Sequence, residues 1–66
     1  MSQFFVALRE DVDRCKASLD DQGTITISGL TPNGTPAEFT GVVQAVEERL
    51  DITGAKRWRI TIRDSD

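Results

Sequence analysis

Histidine and tyrosine are absent from the chain, and cysteine, tryptophan and methionine occur once each. Without histidine, the usual base for making a serine or cysteine nucleophilic is missing. With one cysteine and no histidine, a structural zinc site cannot form within a single chain. Cys15 has no partner for an intrachain disulfide, and an unpaired thiol fits a reducing compartment. No apolar run approaches the ~18 residues that span a bilayer. The N-terminus lacks the basic segment and apolar core of a signal peptide. These absences predict a cytoplasmic protein with no membrane contact, no cofactor and no resident metal, and they count against an enzyme.

Sixty-six residues make one domain, residues 1–66, with 63–66 expected to fray. A chain this short buries only about 60% of its unfolded surface, and such cores seldom supply more than about 3–5 kcal/mol. Disulfide and zinc being excluded, what remains is a well-made core or oligomerisation, and a homodimer is expected. The net charge of −3 gives no general attraction to nucleic acid or anionic lipid. Its distribution is uneven: residues 1–51 carry four basic and nine acidic side chains, whereas 52–63 carry four basic and none acidic.

The basic segment is Lys56 to Arg63, which alternates without a fault. Trp58, Ile60 and Ile62 fall on one side, and Arg57, Arg59, Thr61 and Arg63 on the other, the period of a half-buried strand. Upstream, Phe5, Leu8, Val12, Cys15 and Leu19 recur at spacings of three and four, which predicts a helix with one apolar stripe. Ser2 is its candidate N-cap, Glu10–Arg14 and Lys16–Asp20 are candidate i,i+4 pairs, and Gly23 marks its end near Asp20. The competing reading of this stretch makes Gln3–Leu8 a short strand and starts the helix nearer Asp11. The stripe spans only two heptads, too few for a coiled coil.

Thr24 to Leu30 alternates in the manner of a strand, and Thr31-Pro32-Asn33-Gly34 has the residues of a hairpin turn with a left-handed glycine. Residues 36–50 are ambiguous. Apolar residues fall at helical spacing, but Thr40-Gly41-Val42-Val43 is a poor helix former. A strand over 37–47 is therefore expected, with Gly41 at a bulge or close approach. Glu48–Ala55 then becomes a connection with a helical turn at Glu48–Leu50 and a break at Gly54. The fold class predicted is α+β: an N-terminal helix on a three-stranded antiparallel meander, αβββ, with αβαβ as the alternative. The meander would expose two sheet edges, open to dimerisation or element swapping. The expected core is Phe5, Leu8, Val12, Cys15 and Leu19 against Ile25, Ile27, Phe39, Val43, Trp58, Ile60 and Ile62.

Candidate chemistry is sparse. Cys15 lies on the apolar stripe and reads as a small buried hydrophobe. The carboxylate pairs Asp11/Asp13, Asp20/Asp21 and Glu47/Glu48 read as solvated surface, since an acid–base couple needs a cleft that separates two pKa values. Gly29–Gly34 lacks the lysine of a phosphate loop. What remains is the basic face of Arg57, Arg59 and Arg63. It could meet an acidic protein partner, track phosphates, or be neutralised by Glu38 and Glu47 across the sheet. Trp58 points away from these arginines, so base stacking beside them is not expected. The sequence predicts a non-catalytic protein-interaction or self-assembly module that uses Arg57, Arg59 and Arg63. The alternative is a nucleic-acid-binding module using strand 56–63.

Overall fold

A computed structural model describes residues 1–50 and 52–64. Five elements follow in order: β1 (Ser2–Val6), α1 (Arg9–Asp21), β2 (Thr24–Leu30), β3 (Pro36–Leu50) and β4 (Lys56–Asp64). One helix packs on a small antiparallel sheet, the α+β class that the patterning predicts, with one strand more than the meander. β2, β3 and β4 form that meander. β1 lies antiparallel to β4 over Ser2↔Ile62 to Val6↔Trp58 and touches β2 at Phe5↔Leu30, which closes the sheet on itself.

The extra strand corrects the reading of the N-terminus. The helix expected from Phe5 begins at Arg9, and Ser2 is a strand residue rather than its cap. Within Phe4-Phe5-Val6, bulky and β-branched side chains suit a pleated surface, and alternation buries Phe4 and Val6 while Phe5 points out. Leu8, expected in the core, is 58% exposed at the helix start, where its carbonyl accepts from the N–H groups of Asp11 and Val12. The helix ends on Gln22 rather than on glycine: Gln22 adopts the left-handed conformation (φ 59°), and its N–H donates to Ser18 O at 2.8 Å. Along α1, Arg9 pairs with Asp13 at 3.4 Å, while Arg14 reaches across to donate to Thr26 O at 2.7 Å.

β3 runs through the whole ambiguous segment, so Glu48–Leu50 is strand and not a helical turn. Its first part pairs with β2 and its second with β4, and the ladder shifts by one residue between Val43 and Ala45. Gly41 sits at the crossing between the two pairings. A Cβ there would lie 2.0 Å from the carbonyl oxygen of Arg63, so only glycine lets β4 come this close. The hairpin turn forms as expected, with Gly34 left-handed (φ 85°) and donating to Thr31 O at 2.8 Å. Arg63 and Asp64, placed by the sequence at a frayed end, are residues of β4, while 65 and 66 lie outside the described residues.

The core comprises Phe4, Val6, Val12, Cys15, Ile27, Val43, Ile60 and Ile62, with Leu19, Ile25, Phe39, Val46 and Trp58 packed around it. The Phe4 ring stacks on Phe39 with centroids 4.3 Å apart. Among the described residues one polar side chain, Ser18, is buried with them. Ser18 donates to Gly23 O at 2.5 Å and accepts from Val43 N–H at 3.1 Å. β2 pairs no further along β3 than Thr24↔Val42, so this hydroxyl acts as one more rung of the ladder and ties α1 to β3. Ser18→Ala should leave both backbone groups without that partner and cost about 1–3 kcal/mol, read as a lower urea midpoint.

Candidate interaction surface

The alternation of β4 separates two jobs. Ile60 and Ile62 are fully buried and Trp58 is half-buried against the core, while Arg57, Arg59, Thr61 and Arg63 occupy the outer face. The bulge in β3 decides what stands opposite them. Before it, even-numbered residues such as Thr40 and Val42 point outward; after it, odd-numbered ones do. Val46 thereby joins the core, and Ala45, Glu47 and Arg49 come to the outer face, paired with Thr61, Arg59 and Arg57.

Glu47 neutralises Arg59 as the cross-strand pairing predicts. The guanidinium donates to Glu47 Oε1 from Nη2 at 2.9 Å and from Nε at 3.2 Å. Glu38, the other candidate counterion, stands opposite Ser28 instead, away from β4. The same Glu47 carboxylate also meets Arg49 at 3.4 Å. Hydrogen bonding from Arg59 holds the Glu47 carboxyl below its ordinary pKa; partial burial opposes this, and the charges of Arg59 and Arg49 reinforce it. The native state therefore gains from ionised Glu47 above the ordinary carboxylate pKa, and that gain is lost as pH falls through the depressed value. On the other face Lys56 pairs with Glu48 at 3.6 Å.

Arg57 is the exception on this face. It stands directly opposite Arg49 in the ladder, and its Nη1 donates to the carbonyl of Lys56 at 3.1 Å, with no carboxylate partner among the described residues. The three arginines singled out by sequence do not form one cluster. Arg57 and Arg59 share the ribbon near Glu47, whereas Arg63 lies opposite Val42, six residues or about 20 Å further along β4.

Arg57 also borders an open groove of about 400 Å³. Phe5, Leu30, Pro32 and Leu50 form its apolar lining, and Arg49 and Arg57 its charged side. Phe5 and Leu30 meet there because they are the one β1–β2 pair, both on the outer face. Sequence reasoning placed Phe5 in the core and left Arg49 in the acidic half of the chain. The bulge that turns Arg49 outward leaves no composition signal.

Cys15 is fully buried, and burial first, then the charge of Asp11, raises its thiol pKa to about 11 against the lowering effect of Arg14. Native protein should resist alkylation by iodoacetamide at pH 8, with labelling appearing only as urea unfolds the chain. The same shift makes stability full below pH 9 and lower as pH rises toward 11, because the unfolded thiol ionises first.

Among the described residues no helix is long and apolar enough to cross a membrane. No protein-family model, no curated protein sequence and no solved structure matches the chain.

Proposed function

We propose that this chain is a small non-catalytic protein-interaction or self-assembly module of the cytoplasm, engaging its partner through the outer face of β1, β4 and β3. The observation that carries this reading is an imbalance of charge beside exposed apolar surface. Among the described residues, Arg49, Arg57 and Arg59 face outward around one carboxylate, Glu47, next to the groove lined by Phe5, Leu30, Pro32 and Leu50. Interfaces favour arginine together with aromatic and apolar contact area, so both an acidic protein partner and a second copy fit. A homodimer would also cover some of the apolar surface left exposed at Leu8, Leu50 and Ile52.

Light scattering across a concentration series tests self-assembly, and panning a twelve-residue peptide library displayed on phage tests partner binding. A mass about twice 7.3 kDa or enrichment of peptides that bind the native chain supports the reading. A mass of 7.3 kDa throughout, with no enriched peptide, overturns it. Nucleic acid on strand 56–63 is the alternative, and it draws on fewer free cations than the sequence promised, since Glu47 holds Arg59 and Glu48 holds Lys56. That alternative requires a mixed oligonucleotide pool to bind at low salt and dissociate steeply as salt rises.

A further inference from the structure

Resting on that reading, we infer that the groove beside the β2–β3 turn binds an extended acidic peptide segment of a protein partner, with an apolar side chain in the groove and a carboxylate between Arg49 and Arg57. Two like charges directly opposite each other in a ladder destabilise the pair, yet Arg49 and Arg57 face one another on one side of the sheet. Glu47 offsets this conflict only in part, because its single negative charge is shared between Arg59 and Arg49. Arg57 spends one donor on a backbone carbonyl, and among the described residues no carboxylate takes the rest of its planar fork. An incoming carboxylate would remove the repulsion and gain charge-assisted hydrogen bonds from both guanidiniums.

The groove supplies the second half of the recognition. Its volume of about 400 Å³ accommodates one or two side chains, and Phe5, Leu30, Pro32 and Leu50 offer them an apolar lining. Leu50 is 68% exposed and Leu30 37% exposed, so a ligand has apolar surface left to cover there. The groove is open to solvent and its apolar lining adjoins Arg49 and Arg57, so a peptide carrying an apolar side chain beside a carboxylate can fill both. A phosphate backbone would satisfy the arginines and leave the apolar lining in water; a peptide carrying Asp or Glu beside Leu, Ile or Phe satisfies both.

The test uses peptides enriched from the phage library against the full chain, followed by amide chemical-shift mapping and a binding titration. The expected sequences carry Asp or Glu beside a large apolar residue. Their shifts should concentrate at Phe5, Leu30, Gly34, Arg49, Leu50 and Arg57. Replacing the peptide carboxylates with amides, or introducing Arg57→Gln, should weaken binding about ten- to hundredfold, with Arg57→Lys in between because it keeps the charge and loses the fork. The urea midpoint of each variant confirms that it folds. Enriched peptides that lack acidic residues, or whose shifts map elsewhere, overturn this inference while leaving an interaction module standing. Shifts at the same residues from an oligonucleotide pool, stronger than those from any peptide, also overturn it. Absence of any binder together with a monomeric mass removes the proposed function itself.

Discussion

Gly41→Ala should leave much of the population unfolded at 25 °C. The added methyl group would sit 2.0 Å from Arg63 O and 3.2 Å from the Cα of Asp64, both backbone atoms that no side-chain rotation can move. Relief requires the β3–β4 ladder to open at Gly41↔Asp64 and Val42↔Arg63, beside the core pair Val43↔Ile62. Overpacking of this kind costs about 3 kcal/mol or more, a large part of the ~3–5 kcal/mol that a core this small supplies. Gly34→Ala is the control. Gly34 is left-handed, but nothing lies within 4 Å of its Cβ position, so the cost is conformational alone, about 1–2 kcal/mol. Urea unfolding followed by the fluorescence of Trp58, the sole tryptophan, reads both. Equal midpoints for the two variants would contradict the close approach of β4.

Phe4→Ala should cost about 3–5 kcal/mol, as deletion of a fully buried aromatic does, while Phe5→Ala should cost about 1 kcal/mol. Phe4 has no exposed surface and stacks on Phe39, whereas its neighbour lies on the outer face beside Arg59 and Leu30. The contrast depends on β1 being a strand in this register. Shifting β1 by one residue along β4 would exchange the faces of the two phenylalanines and reverse the order. A helix from Phe5, as the apolar spacing suggests, would bury Phe5 and also reverse it. Urea midpoints of the two alanine variants separate these cases.

Much of the fold was legible where one periodicity stood alone. Lys56–Arg63 alternates cleanly, and the structure makes it β4; Thr31–Gly34 carries turn chemistry, and the hairpin is there. Phe5–Leu19 misled because Leu8 and Phe5 continue by accident the helical spacing that Val12, Cys15 and Leu19 obey for physical reasons. A tertiary partner, β4, decides that residues 2–6 are extended, and nothing local states that the two segments meet. Residues 36–50 were readable as strand from Thr40-Gly41-Val42-Val43, but the bulge was not, since it depends on the pairing of Val43 with Ile62 and Ala45 with Thr61. That shift brings Arg49 opposite Arg57 and Glu47 opposite Arg59, so the charge balance of the surface followed from a feature hidden in the chain. The Glu47–Arg59 pair was anticipated even so, because both residues were placed on neighbouring strands. Ser18 gave no signal at all; a serine on a helix is ordinary, and only the end of β2 at Thr24 gives its hydroxyl two backbone partners.

In the proposed function, β4 serves the core with one face and a partner with the other. Titrating one enriched acidic peptide into the Arg57→Gln protein, at a confirmed urea midpoint, tests that division most directly. The expected result is binding about ten- to hundredfold weaker than to the unsubstituted chain with the midpoint unchanged to within about 0.5 kcal/mol. Undiminished binding, or a loss of stability on the scale of a core substitution, would contradict it.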